Sequence, residues 1–311
     1  MSLHIPVLAQ EVLSWLDPQP NQDFIDATVG LGGHAALLLE RTGPNGRLLA
    51  FDRDERNLAE AKQNLAAFGD RVVYVNDSYQ ALKQAAYDHG FSEVRGILMD
   101  LGFSSGHIED AQRGFSFQRP GPLDMRYDQR GEVTAEMIVN SWTAQDLAHI
   151  FFVYGEERHA HKIAKAIVES RRRARITTTS ELADLIVATI PRHGKIHPAT
   201  RVFQALRIAV NDELAELEQT LPQTRDVLQA GGRLAVISFH SLEDRIVKRF
   251  LKAHADEDFN ILTKRPVIAT EEEQKQNPRS RSAKLRVAER LGGYVETNTK
   301  QKIRSLKRRE L

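Results

Sequence analysis

This sequence predicts an α/β fold, an open parallel sheet interrupted by an all-helical insert. Three observations lead to it. Between Phe24 and Asp100, short apolar runs alternate with segments of helical period, the order that builds right-handed βαβ units. A further strand-like run, RLAVISF at 233–239, follows a helical segment at 211–229. Between Leu101 and Asn211 lie about 110 residues with little strand character, far more than a single crossover helix needs.

The first four strands are expected at 24–28, 47–52, 71–75 and 95–100, each β-branched or apolar and of strand length. Helical periods at 33–41, 54–68 and 78–89 alternate with them. Within the insert, apolar residues recur at helical spacing over 134–141, 143–153, 156–173, 179–190 and 199–210. The turn Gly231–Gly232 introduces the fifth strand, and helix 241–254 follows it. Segments 261–267 and 283–289 then read as two edge strands. The division expected is 1–108 for the first part of the sheet domain, 109–212 for the helical insert, and 213–311 for the second part with a basic tail.

Composition narrows the function classes. The chain has 311 residues, 41% hydrophobic and 27% charged, the usage of a folded globular protein. It has no cysteine, which excludes disulfides, thiolate metal sites and cysteine nucleophiles. No apolar run reaches the roughly 18 residues of a membrane helix, and the start lacks the basic and apolar regions of a signal peptide, so a cytoplasmic protein is expected. His193 and His197 are four apart but lie among Pro191, Gly194 and Pro198, so no metal site is expected. The net charge of +1 conceals a basic tail: residues 275–311 hold twelve Lys/Arg against three Asp/Glu. The run from Arg158 to Arg175 holds seven basic residues and one acid, Glu169. Such runs suit a polyanion, or are solvated helix faces.

The segment Asp26-Ala-Thr-Val-Gly30-Leu-Gly32-Gly33-His34 falls between the first strand and its helix, where glycine allows a tight turn and close approach to a ligand. Asp52 ends the second strand twenty residues after Gly32, where an acid accepts ribose hydroxyls. Gly30, Gly32 and Ala35 also fit a dinucleotide turn, which keeps a nicotinamide-dependent reductase open. Asp26 favours a cationic donor over a pyrophosphate, unless it only bonds the turn's own amides. After the third strand, Tyr79 either stacks on an adenine or packs its helix, and Asp77 either accepts from that base or caps the helix.

At the fourth strand's end, Asp100-Leu-Gly-Phe103-Ser104-Ser105 should face the same crevice. An aromatic after an acid suits methyl transfer to an exocyclic amine, with the Asp100 carboxylate accepting an N–H. Carbon-5 methylation of a pyrimidine ordinarily needs the cysteine this chain lacks. The loop from Arg113 to Arg126, rich in Arg, Phe, Gly and Pro, is either a single-stranded RNA contact or a structured connection. In Ser238-Phe-His240-Ser241-Leu-Glu243-Asp244, Ser241 and Asp244 resemble a capping box. That leaves His240 as a proton relay or substrate contact.

Taken together, HIPVL, GLGGH, AFDRD, MDLGFSS, RGFSF, GPLDMR, YGEER, HPATRVFQALRIAVNDEL and ISFHSLEDRIVK resemble the bacterial ribosomal RNA small subunit methyltransferase H family. The resemblance extends to Arg290. It implies a Rossmann-like S-adenosylmethionine-dependent methyltransferase sheet with an inserted helical domain. It implies methylation of a cytidine N4 amine in the decoding region of 16S rRNA, within the small ribosomal subunit. By motif it places Gly32, Gly33, His34, Asp52, Tyr79, Asp100 and His107 around S-adenosyl-L-methionine. Tyr79 stands where phenylalanine is the commoner residue, and His107 where glutamine is. The family supplies no agreed general base; Asp100 and His240 are the candidate catalytic residues. A non-catalytic ribosome assembly factor stays open as a rival, as does a homodimer.

Overall fold

A computed structural model describes residues 6–190 and 197–292. Seven strands form one sheet: β1 Asp23–Asp26, β2 Leu48–Phe51, β3 Val72–Val75, β4 Val94–Asp100, β5 Leu228–Ser238, β6 Phe259–Ile261 and β7 Lys284–Arg290. The helices are α1 Ala9–Leu16, α2 Gly33–Thr42, α3 Glu55–Asn64, α4 Leu82–Asp88, α5 Ser105–Glu109, α6 Ala135–Ser141, α7 Ala144–Val153, α8 Ala160–Arg171, α9 Thr179–Thr189, α10 Thr200–Asn211, α11 Glu213–Val227, α12 Ser241–Ala253 and α13 Glu271–Gln276.

The spatial order is β3-β2-β1-β4-β5-β7-β6. The first five strands are parallel, and β7 runs antiparallel to both β5 and β6. The sheet is therefore mixed, and β7 lies inside it rather than at an edge. The seventh strand can enter there because its connection from β6 crosses no neighbour. Expected strand 261–267 overlaps β6, Phe259–Ile261, only at Ile261, with Val267 making an isolated bridge to Leu285. Gly231–Gly232 is not a turn before β5 but lies within it, where the register with β4 shifts between Val94 and Gly96.

Alternate residues of the central strands feed two cores, the mark of a sheet covered on both faces. Phe24, Leu48, Leu98 and Ala235 pack with Leu16, Leu38 and Leu58 of α1, α2 and α3. Ile25, Leu49, Ile97 and Leu234 pack with Leu82, Leu217 and Val247 of α4, α11 and α12. Helices α6 to α10 close around a third core containing Leu147, Phe151, Ile163, Leu182 and Leu206. They leave the chain after β4, at the carboxyl ends of the parallel strands, so the helical lobe rises beside the crevice. Among the described residues, no helix is long and apolar enough to cross a membrane.

Candidate functional site

The carboxyl ends of β1, β2 and β4 open into a cavity of about 970 Å³. Gly30 to His34, Asp52, Tyr79, Asp100 and His107 all line it. The chain after β1 is sewn to its neighbours, with Ala27 N donating to Leu98 O at 2.9 Å and Val29 N to Phe51 O at 2.7 Å. Gly32 has φ +90°, and a Cβ there would stand 3.1 Å from Leu65, so the tight turn requires glycine. Asp26 is 1% exposed and accepts from Thr28 N at 3.1 Å. It bonds the turn's own amide, and the turn's share of the cavity lining begins at the next residue, Ala27. Burial pushes its carboxyl up to about 7.

Asp52 is fixed by its own chain. Its Oδ2 accepts from Gly30 N at 3.0 Å and Asn57 Nδ2 at 3.2 Å, and its Oδ1 from Asp54 N at 2.8 Å. Burial raises it to about 7 despite these bonds. Tyr79 lines the cavity from a short helical turn capped by Ser78, whose side chain accepts from Gln80 N. Asp77 therefore does not cap that turn; it accepts from Ser78 N at 2.7 Å and also lines the cavity.

Asp100 closes β4. Its backbone N donates to Thr28 Oγ1 at 2.6 Å, and its Oδ2 lies 3.8 Å from His34 Nε2. Oδ1 is buried and has no hydrogen-bond partner. Burial, then the charges of Asp26 and Glu243, hold this carboxyl well above the ordinary carboxylate range. A buried acceptor without a donor is costly. Within the predicted set, Asp100 Oδ1 and His240 Nε2 are buried atoms without a hydrogen-bond partner, and of these two residues only Asp100 lines the cavity.

His107 lines the cavity with its ring nitrogens engaged by the protein. Its Nδ1 accepts from Ser104 N at 3.0 Å and its Nε2 lies 2.8 Å from Asp54 Oδ2. Both ring nitrogens are spent on the protein, and burial lowers the ring's pKa, so the neutral tautomer with a proton on Nε2 fits. It borders the cavity as a wall, with Phe115 and Tyr127 packed on its ring at 4.9 and 5.1 Å.

His240 also takes a structural place. It is the N-cap of α12: Nδ1 accepts from Glu243 N at 3.4 Å, and Glu243 Oε2 accepts from Phe239 N at 2.8 Å and His240 N at 3.3 Å. The capping box is thus His240–Glu243, one residue before the expected Ser241–Asp244 pair, and capping does account for His240. Asp244 is drawn away by Arg286, at 2.6 Å. Glu243, not His240, is among the residues lining the cavity.

Sequence reasoning assigned no role to Arg207, Glu213, Glu216 or Glu243, all of which line the cavity. Arg207 is buried on α10, bound by Nε and a terminal nitrogen to both oxygens of Glu213, each at 2.8 Å, with its guanidinium carbon 4.8 Å from the Phe103 ring centre. A charge in the apolar stripe of 199–210 was the available signal. Glu213 gave none, because its position depends on the left-handed break at Asp212, φ +52°. One ligating atom each from Glu213, His240 and Glu243 lies within 4.8 Å of the others. Arg207 already supplies the cation there.

The loop Arg113–Arg126 is structured, with Arg113 withdrawn from solvent. Arg113 is 4% exposed; it pairs with Asp54 and donates to the carbonyls of Arg126 and Tyr127 at 2.8 and 3.0 Å. Phe117 packs on Phe203 and His197.

The arrangement can hold an adenosine-like ligand between the glycine turn and Asp52, and a planar polar group near Asp100, Phe103 and Arg207. Comparison with known proteins agrees. Residues 1–291 match the model of the MraW methylase family. The chain is 49% identical over 290 residues to the ribosomal RNA small subunit methyltransferase H of Nostoc sp. strain PCC 7120, covering 92% of each. It is 50% identical to that of Cyanothece sp. strain PCC 7425, over 93% of this chain and 95% of the relative. With that of Desulfotalea psychrophila the identity is 46%, over 93% of this chain and 98% of the relative.

Proposed function

The chain belongs to the MraW methylase family, and from that premise we propose that it methylates the N4 amine of a cytidine in the decoding region of 16S rRNA, within the small ribosomal subunit in the cytoplasm. The family removes the nicotinamide reductase reading. The observation that carries the site assignment is the unpartnered Oδ1 of Asp100 in the same cavity as the glycine turn and Asp52.

The residues present fit S-adenosyl-L-methionine. Gly32, Gly33 and His34 form a close-approach wall, Asp52 is the ribose acceptor, Tyr79 flanks the base, and Asp26 offers negative charge beneath the turn. When bound, the donor supplies a methyl group on a cationic sulfur. His107 supports this wall through Asp54, and His240 positions Glu243. The helical segment 109–212 serves as the substrate lobe, and the target base must leave its stack to enter beneath it.

Asp100 is the catalytic residue. Its Oδ1 accepts an N–H of the exocyclic amine, which orients the nitrogen and lets its lone pair leave conjugation with the ring. When nitrogen gains the methyl it must lose a proton. A carboxylate raised by burial is a stronger base than an exposed one, and Asp100 can take that proton.

Incubating undermodified small subunits with labelled S-adenosyl-L-methionine, then analysing the nucleosides of 16S rRNA, tests the activity. Label in N4-methylated cytidine is expected; subunit binding without transfer would leave only an assembly factor. For Asp100→Ala, single-turnover transfer at saturating donor and subunits should fall by at least 100-fold (~3 kcal/mol). A wild-type rate removes Asp100 from the chemistry.

A further inference from the structure

A second cleft, of about 570 Å³, lies where the helical lobe meets the start of α12. Phe152, Val153, Glu156, Arg158, Arg201 and Arg245 line it. Glu156 clamps the two parts together: its Oε2 accepts from Ser241 Oγ at 2.7 Å and its Oε1 from Arg245 at 2.9 Å. Arg201 donates to the Glu156 carbonyl at 3.2 Å. One acid therefore faces three arginines, and Arg158 is exposed with neither a carboxylate nor a hydrogen-bond partner among the described residues.

Beside that free guanidinium, Phe152 leaves 64% of its surface exposed. From Arg158 the charge continues along α8. Lys162, Lys165 and the C-cap Arg172, which keeps helical φ and ψ, follow at steps of four, three and seven, which places them on one face, and all three are exposed. Among the described residues, only Lys165 of these has an acidic neighbour, Glu169 at 3.9 Å.

We propose that this cleft and the α8 face bind the stretch of RNA next to the target nucleotide, with Phe152 stacking on an unpaired base and Arg158, Lys162 and Arg172 meeting phosphates spaced along it. An exposed aromatic among unpaired cations is the chemistry that recognises single-stranded nucleic acid. The position supports it as well. The first turn of α12 is a wall shared by both cavities, with Glu243 on the main one and Arg245 on the cleft. A strand whose base enters the main cavity is carried past the cleft within a turn of that helix. The inference rests on the proposed rRNA substrate and adds the surface that grips it.

The test uses the full chain and two variants, Phe152→Ala and the double variant Arg158→Glu with Lys162→Glu. Binding to a single-stranded fragment of the decoding region is titrated over a range of salt. Phe152→Ala should weaken binding roughly tenfold through lost stacking. The double variant should also lower the slope of log affinity against log salt by about 1.4, the loss of two single-strand phosphate contacts. Donor affinity should stay at the wild-type value in both, and KM for subunits should rise while kcat holds. Wild-type RNA affinity and salt slope in both variants would overturn the proposal. Weakened binding to whole subunits with unchanged binding to the fragment would also overturn it, in favour of a ribosomal protein as partner. A wild-type chain that binds RNA at this cleft but transfers no methyl would instead overturn the proposed function.

Discussion

A carboxylate has about four lone-pair sites, and Asp52 spends three of them on Gly30, Asn57 and Asp54. The remaining site is on Oδ1, so one ribose hydroxyl can be accepted without displacing a protein donor. A hydrogen bond to a charged group contributes roughly 1.5–3 kcal/mol. Asp52→Ala should therefore weaken donor binding about ten- to hundredfold in calorimetry, and an unchanged affinity would remove its ribose role. Asp26 and Asp52 are both raised from 3.8 to about 7, so between those values the folded chain holds protons that the unfolded chain has released. Stability without donor should then decline as pH rises through that window. Donor affinity should move the opposite way, stronger at pH 8 than at pH 6, because ionised Asp52 in the cavity wall and ionised Asp26 behind it both attract a cationic ligand. Urea titrations at pH 5 and 8, with calorimetry at pH 6 and 8, check the two signs. Asp26, Asp52 and Asp100 were legible because each falls at or directly after the carboxyl end of a parallel strand, where ligands bind. The ring partners of His107 and His240 were not legible, because they depend on what a histidine's two nitrogens meet in space.

At the scale of elements, the helical lobe is built from local signals. Thr134, Thr143 and Thr178 each cap a helix by accepting from the N3 backbone amide, and Thr143 and Thr178 complete capping boxes with Asp146 and Glu181. Loss of such a cap costs about 1 kcal/mol. Thr178→Ala should lower unfolding stability by that amount in denaturant titrations while leaving donor affinity unchanged. These helices were readable in the sequence because caps and apolar period act within one turn of chain. The end of the sheet was harder. Segment 261–267 has strand composition, yet only its first residue lies in β6, because pairing with β7 depends on a partner distant in sequence. The eight-residue α1 was missed, although Val12 and Leu16 bury its inner face.

At the scale of the whole molecule, polar contacts from Arg53 and Asp54 join lobe to sheet. Asp54 follows β2 and binds both His107 and Arg113. Arg53 reaches Glu216 at 2.7 Å and the Asn211 carbonyl at 3.0 Å. Burial alone would raise Asp54, but the bonds from His107 and Arg113 outweigh it and hold the carboxyl at about 2. Its contribution to stability is complete above the ordinary value of 3.8 and is lost as pH falls toward about 2. Removing one partner of a buried pair costs about 3 kcal/mol. Arg113→Ala should cost that much at neutral pH and move acid unfolding to a higher pH, followed by circular dichroism. A wild-type acid midpoint would show that the pair does not hold lobe to sheet.

The sequence by itself determined the α/β class, the order of the first five strands and their helices, the place of the helical insert, and the strand-end acids of the crevice. Those follow from periodicity, glycine turns and strand ends, which are local properties of the chain. Tertiary structure alone decided that β7 enters the sheet antiparallel, that Arg113 is a buried tie rather than an RNA contact, and that Arg207, Glu213 and Glu243 share a wall with Asp100. Each of these depends on which distant groups neutralise a buried charge or complete a strand's hydrogen bonds, and no local pattern carries that information.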